Sequence, residues 1–363
     1  MFHSQPLPNQ PDLRKIGLHP NFWYPLARAK DLKKGKTLSV SYGGDRIVLV
    51  RTASGKVFAL EDRCAHRQMP LSEGVVCGEK LQCCYHAWRY NDEGKVAGIP
   101  YLPKGANPPK GVRSYPSREA YGLIFVFPGD PGKSQEVPFP QIPPWASSDH
   151  QTMYFSREIN CHYSFMHENL MDMNHQFLHR KLMGRIKPTL IGTQKGEDWL
   201  EVKYKFEFMG GKRHRGGSFM VGPKPKNSKM GNHEIMTIRT QYPYQMLNVR
   251  KPSSPAPSFY MWAVYVPVDK EQRIHHSFGM LMIRKPKIPG LIYLLWPFMR
   301  YFTESVFAED RMAVEAEQRA YDEQGGDWNR EIFPLVLDLR KLLIQNGLPL
   351  SLSQRPFEQR YSA

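Results

Sequence analysis

Acidic residues are scarce in this chain. Against 50 Lys and Arg stand 34 Asp and Glu, which leaves a formal charge of +16 at pH 7. That balance suits nucleic acid, an anionic membrane surface or an acidic protein partner. The basic residues are scattered, with runs at Lys30–Lys36, Lys212–Arg215 and Lys224–Lys229, and no nucleic-acid-binding module accompanies them, which argues against nucleic acid. Cysteine is also sparse. Five is an odd number, and the first twenty residues lack the apolar stretch of a signal peptide, so a reducing cytoplasmic compartment is expected. No run reaches the roughly 20 apolar residues needed to span a bilayer. The nearest, Ile288 to Phe302, is interrupted by Pro289, Pro297 and Arg300, and reads as a buried helix and turn, with contact to a membrane or a lipid-like substrate as the lesser reading. Internal repeats and low-complexity tracts are absent, and 41% hydrophobic residues exclude a disordered chain.

A length of 363 residues exceeds what one core usually serves, so two domains are expected. Short alternating runs at residues 38–60 and a turn signal at Ala53-Ser54-Gly55-Lys56 predict a small antiparallel β unit, continued by strands at Lys95–Ile99 and Gly122–Phe127. A proline-rich stretch up to about residue 150 reads as the linker, giving an N-terminal tail (1–20), a first domain (21–140) and a second domain (141–363). In the second domain, Cys161–Leu182 has helical spacing. Strands are expected at Leu200–Met209, Glu234–Tyr242, Ser258–Val268 and His275–Ile283, with a helix over Tyr301–Tyr321. This is an α+β arrangement, an antiparallel sheet with long helices against it.

Two loops each offer one thiolate and one imidazole: Cys64-Ala65-His66 and Cys83-Cys84-Tyr85-His86. Structural zinc usually takes its cysteines and histidines in like pairs, Cys-x₂₋₄-Cys and His-x₃₋₅-His. The mixed pairing suits a [2Fe–2S] cluster of the Rieske type, in which one iron takes both thiolates and the other both imidazoles. Zinc remains the alternative. Cys77 and Cys84 are expected to be reduced, packed thiols.

A second constellation follows in Asn169-Leu170-Met171-Asp172-Met173-Asn174-His175-Gln176-Phe177-Leu178-His179. On a continuous helix Asp172, His175 and His179 would share one face, and two histidines four apart can grip one metal. Iron that activates O₂ is commonly held by two histidines and one carboxylate. Glu309 and Asp310 on the late helix both qualify as the third ligand, and periodicity leaves the choice open.

Together these motifs resemble the Rieske non-haem iron oxygenases, specifically the vanillate, phthalate and dicamba monooxygenase branch, and Phe22–Leu26 and Gly122–Gly129 resemble the start and end of that family's cluster domain. The resemblance implies a small all-β Rieske domain followed by a helix-grip, START-like catalytic domain. It implies that Cys64 and Cys83 bind one iron, His66 and His86 the other, and that His175, His179 and Asp310 bind a mononuclear Fe(II). Asp172 would bridge His175 to His86 of a neighbouring subunit in a homotrimer, and Asn169 would stand near the iron. O₂ and an electron donor, a reduced ferredoxin or an NAD(P)H-dependent reductase, are the implied co-reactants. The substrate would be apolar, aromatic or lipid-like, and the reaction hydroxylation, demethylation or desaturation. Three features depart from the common pattern: Cys84 stands for proline, Ala87 for glycine, and the interval between His175 and His179 is shortened. Competing readings are a Rieske electron-transfer protein without oxygenase activity and a zinc-stabilised lipid-binding protein.

Overall fold

The computed structural model describes residues 11–210, 233–252, 254 and 256–353, so the basic runs Lys212–Arg215 and Lys224–Lys229 lie outside the described residues. The chain divides into two compact units and crosses between them after Leu18, Gln141, Tyr265 and Glu271, so that the segment up to Leu18 belongs to the same unit as Ile142–Tyr265.

The unit formed by His19–Gln141 and Val266–Glu271 contains three small antiparallel sheets. In the first, β1 (Lys36–Tyr42), β2 (Asp45–Arg51) and β3 (Val57–Glu61) pair in order. β2 forms the middle because Ile47, Val48, Leu49 and Val50 are aliphatic on both faces and all fully buried. The β1–β2 turn is Gly43-Gly44, both at positive φ (53° and 81°), the backbone that a two-residue hairpin of the favoured twist requires. The second sheet runs β4 (Val75–Cys77), β5 (Lys80–Gln82), β6 (Arg89–Tyr90) and β7 (Val96–Gly98). Side chains from both sheets, among them Val48, Val50, Phe58, Leu60, Leu81 and Tyr90, make one core that also contains Cys64 and Cys83.

The other unit carries a seven-stranded antiparallel sheet. Its strands are β8 (His150–Ile159), β9 (Arg185–Lys195), β10 (Trp199–Gly210), β11 (His233–Gln241), β12 (Tyr244–Arg250), β13 (Phe259–Pro267) and β14 (His275–Arg284), in the spatial order β8-β14-β13-β12-β11-β10-β9. α1 (Tyr163–Met171), α2 (Leu291–Gln324) and α3 (Pro334–Asn346) complete the unit. The hydrophobic pattern predicts β10, β11, β13 and β14 but not β8, β9 or β12. β9 is an edge strand with Pro188 and Gly192 in it, mostly exposed, so it has neither alternation nor an apolar run to announce it. β12 follows β11 through the tight turn at Tyr242-Pro243 and cannot be told from it by hydrophobicity alone.

Two helical expectations are corrected. Cys161–Leu182 is three pieces: α1, a 3₁₀ turn at Met173–Phe177 and a short helix at Arg180–Met183. The segment 288–302 is buried on one face only, through Ile292, Met299 and Phe302. It opens α2, a single helix that runs through Pro297, and it leaves Ile288, Tyr293, Leu294, Phe298 and Tyr301 at least 64% exposed. Pro297 is tolerated because it is itself exposed, so the carbonyl of Tyr293 that loses its partner can turn to solvent. The row that does face the interior is Phe302, Val306, Asp310, Val314 and Gln318, each four residues on from the last.

Candidate active site

In the cluster unit the two ligand loops rise from the shared core. Cys64 N–H donates to the Met69 carbonyl and Cys83 N–H to that of Trp88, 2.8 Å each, which turns both loops tightly. The Cys64 and Cys83 thiols are buried, with the Tyr90 hydroxyl 3.1 Å from Cys64 Sγ. His66 is exposed and His86 half-buried, their rings 4.5 Å apart, and Trp88 stacks flat on His66 at 4.8 Å. Burial pushes the Cys83 thiol pKa up, the neighbouring Cys64 adding to this, so metal binding there must displace protons. His86 is held below its ordinary value by desolvation and then by His66 and Arg67, which keeps the imidazole neutral, the form that ligates metal. Two inner sulfurs and two outer imidazoles are the donor set a Rieske cluster needs. Ala87 sits at φ 56°, so alanine occupies a backbone conformation that favours glycine. All five cysteines are free. Cys77 is half-buried, but Cys84 is exposed, which corrects the expectation that it is packed.

The second site lies wholly in the other unit. α1 stops at Met171, whose carbonyl accepts from the Tyr204 hydroxyl on β10. Asp172 then leaves helical geometry (φ −87°, ψ 93°), and its carboxylate accepts from the backbone N–H and the side-chain amide of Asn174, capping the 3₁₀ turn that carries His175. The histidines therefore do not share a helical face with Asp172. They converge all the same: one ligand atom each from His175, His179 and Asp310 lies within 4.8 Å of the others, the only group of three among the described residues that could hold a metal in this way. His175 Nε2 is 3.8 Å and His179 Nε2 3.1 Å from Asp310 Oδ1.

The other ring nitrogens are occupied. His175 Nδ1 meets the backbone carbonyl of Asp172, and His179 Nδ1 meets Glu309 Oε2 at 2.8 Å. Both Nε2 atoms are thus left to face Asp310. The Asp172 carboxylate was expected to orient His175; its backbone carbonyl does so instead. Burial pulls the His179 pKa down, but the Asp310 and Glu309 carboxylates outweigh it, and the ring is held above its usual value. Asn169 Nδ2 reaches Asp310 Oδ1 at 3.4 Å. Two imidazoles and one carboxylate with a free approach side form the donor set that suits Fe(II) in O₂ chemistry. The donors fit the metal.

Both acids of the late helix therefore have a place, one in the ligand group and one behind it. Asp310 continues the inward row from Phe302 to Gln318, and following that row through the whole helix would have separated it from Glu309. Glu168 was also missed. It takes Arg14 and Arg340 at 2.7 Å each and ties α1, with Asn169 on it, to the N-terminal segment and α3.

The triad borders a cavity of about 1200 Å³, counting its open mouth. Its lining is dominated by Phe155, Phe206, Phe259, Phe307 and five methionines. Along β13, Phe259, Met261, Ala263 and Tyr265 face it with the period of a strand, whereas Trp262 packs behind. On β14, Gly279 lies beneath Phe155; a Cβ there would fall 2.0 Å from the ring. Phe155 can therefore lie over the sheet and meet Phe307 of α2, 4.9 Å between ring centroids.

A metal triad opening onto an apolar chamber, on a chain with a Rieske-type donor set, defines an oxygenase class: a cluster-bearing subunit with its own mononuclear iron site. The comparisons agree. The family model described as "Rieske [2Fe-2S] domain" matches residues 22–116, and that described as "Vanillate O-demethylase oxygenase C-terminal domain" matches 159–334. The chain is 30% identical over 359 residues to the 4beta-methylsterol monooxygenase of Methylococcus capsulatus, covering 93% of this chain and 91% of that protein. It is 33% identical to the oxygenase component of dicamba O-demethylase from Stenotrophomonas maltophilia over 162 residues, 44% of this chain and 47% of that one. The solved structure of dicamba monooxygenase bound to dicamba has the same fold, with a TM-score of 0.69 at 24% identity over 90% of this chain and 98% of that chain. The chain belongs to the Rieske non-haem iron oxygenases and is an oxygenase, not an electron carrier alone. The iron–sulfur cluster and a non-haem iron come with that membership.

Proposed function

We propose that this protein is a monooxygenase of a sterol-like substrate, with His175, His179 and Asp310 holding the mononuclear iron, Cys64 and Cys83 one cluster iron, and His66 and His86 the other. The observation that carries the reading is the meeting of two imidazoles and a carboxylate on the wall of an apolar cavity. When bound, the two iron groups supply electron transfer and O₂ activation. The protein's part is positional. Glu309 orients His179 through Nδ1, the Asp172 carbonyl orients His175, and Asn169 steadies the Asp310 oxygen. The phenyl and thioether walls hold an apolar body and keep water from it.

Sterol is preferred to a small aromatic acid on two counts: the relative matched over most of its length acts on a methylsterol, and the cavity wall is dominated by apolar side chains. Asp172, half-exposed beside the triad, is the proposed link to His86 of a neighbouring subunit in a homotrimer. The accessible His66 and His86 edges are where a ferredoxin or reductase would deliver electrons, and the chain's positive charge would speed an acidic donor's approach. With Cys64 and Cys83 assigned to the cluster, Cys77, Cys84 and Cys161, none of them in a disulfide, support a reducing, cytoplasmic setting. No helix among the described residues is long and apolar enough to cross a membrane. The exposed apolar start of α2, flanked by exposed Arg284, Lys285, Lys287 and Arg300, is instead suited to resting on an anionic lipid surface that supplies the substrate.

Turnover decides the substrate. The reduced enzyme with a 4-methylsterol and ¹⁸O₂ should yield product carrying one labelled oxygen atom. Unreacted sterol beside an oxidised aromatic ether from a substrate panel would replace the sterol reading.

A further inference from the structure

We propose that Ser277 and Tyr265 form a hydrogen-bond-accepting subsite in the cavity wall that recognises a hydroxyl group on an otherwise apolar substrate. The proposal rests on the cavity being the substrate site and deepens that reading.

His275, fully buried on β14 two residues before Ser277, sets the direction of the first hydrogen bond. Its Nδ1 lies 2.7 Å from the backbone carbonyl of Cys161. A carbonyl oxygen can only accept, so Nδ1 carries the hydrogen. Burial pushes the imidazole pKa down to about 4, so the ring is neutral and Nε2 bears only a lone pair. Ser277 Oγ stands 3.1 Å from that Nε2. The serine hydroxyl therefore donates to His275, and what it turns to the cavity is oxygen lone pairs.

The same logic fixes Tyr265. The Gln245 side-chain nitrogen donates to the His167 carbonyl at 3.1 Å and to Thr240 Oγ1 at 3.0 Å. That leaves Gln245 Oε1 as an acceptor, and the Tyr265 hydroxyl, 2.9 Å away, donates to it. Tyr265 also has its hydrogen committed to the protein. Its ring lies 5.6 Å from that of His275, the partner of Ser277, and both Tyr265 and Ser277 are among the residues lining the cavity. The one Lys or Arg in the cavity lining, Arg157, is itself engaged elsewhere. Its guanidinium is paired to Glu304 at 2.8 Å and lies over the Phe307 ring.

A patch that only accepts distinguishes between oxygen functions of the same size. An alcohol satisfies it with its own O–H. A ketone or a methyl ether brings a second acceptor against the first and leaves both desolvated.

The test is equilibrium binding to the oxidised, iron-loaded enzyme of three probes: a 4-methylsterol with its free hydroxyl, the corresponding ketone and the methyl ether. Wild type should bind the alcohol at least about tenfold more tightly than either analogue, the worth of one well-placed hydrogen bond. Ser277→Ala and Tyr265→Phe should each reduce that preference by at least about threefold through weaker alcohol binding. Ser277→Thr, which keeps a donor for His275, should retain it, and this variant guards against a general loss of fold. Equal binding of all three probes by wild type, or an unchanged preference in both Ser277→Ala and Tyr265→Phe, overturns the subsite while leaving the sterol reading intact. Should no sterol bind, the sterol reading falls, and the same comparison made with an aryl alcohol, ketone and ether judges the subsite by itself.

Discussion

The ligand loops of the cluster and the mononuclear triad gather metal donors over very different stretches of chain. Cys64, His66, Cys83 and His86 come from two tight loops over one core, each loop closed by its own backbone hydrogen bonds. His175 and His179 come from an irregular segment, and Asp310 from a helix more than a hundred residues later. The first site is held by local backbone geometry. The second depends on α1, α2 and the sheet being packed in place, and its ligands are oriented by acceptors, Glu309 and the Asp172 carbonyl, that belong to neither the sheet nor the cavity. A local site should therefore survive damage to the distant one, and each should lose its metal independently.

The largest expected effect tests that independence. Asp310→Ala removes the carboxylate on which both Nε2 atoms converge, and turnover should fall below detection. Iron should drop from about three per chain to about two, with the visible absorption of the cluster unchanged. Cys64→Ser should do the reverse, abolishing the cluster absorption while about one iron is retained. Loss of all iron from either variant would mean that the sites are coupled.

Next comes Asp172→Asn. Asparagine caps a helical turn as well as aspartate does, so the Met173–Phe177 turn and the His175 contact with the backbone carbonyl should persist. Only the charge is lost. If Asp172 links the two iron groups between subunits, product formation should fall by at least about a hundredfold with both metals bound. Normal turnover would reduce Asp172 to a cap.

The contrast between the sites also explains what could be read from the chain directly. The cluster motif is chemistry written in contiguous loops, and the strands beneath it alternate or run aliphatic, so both were recognisable. His175 and His179 were identifiable by type and spacing, but the break at Asp172 was not. It depends on Tyr204 of β10 capping α1 and on Asp172 satisfying the next turn, contacts made only after folding. Glu309 is invisible as an orienting residue until His179 is seen to turn Nδ1 towards it. The edge strand β9, interrupted by Pro188 and Gly192, offered no periodic signal at all. The apolar start of α2 misled for the opposite reason: hydrophobicity implied burial where the helix leaves that face exposed.

Glu309→Gln gives an intermediate effect. The amide can still contact His179 Nδ1 but no longer supplies the negative charge that makes the imidazole a stronger ligand. Iron affinity and kcat should fall by roughly 10- to 100-fold, and excess Fe(II) should restore part of the activity. A variant indistinguishable from wild type in both would show that the backbone alone orients His179.

The smallest effect belongs to the cluster loop, where Ala87 holds φ 56° between Tyr85-His86 and Trp88. The left-handed conformation costs a residue with a Cβ roughly 1–2 kcal/mol, and glycine there loses part of that gain to its greater freedom in the unfolded chain. Ala87→Gly should therefore stabilise the cluster-loaded protein by about 0.5–1 kcal/mol, read as a modest rise in Tm, with turnover unchanged. Because the Ala87 N–H donates to the Cys83 carbonyl, the substitution bears directly on a ligand loop. A fall in Tm would mean that the alanine methyl contributes packing around the cluster worth more than the backbone strain. Local backbone geometry would then not be sufficient to hold even the nearer of the two sites.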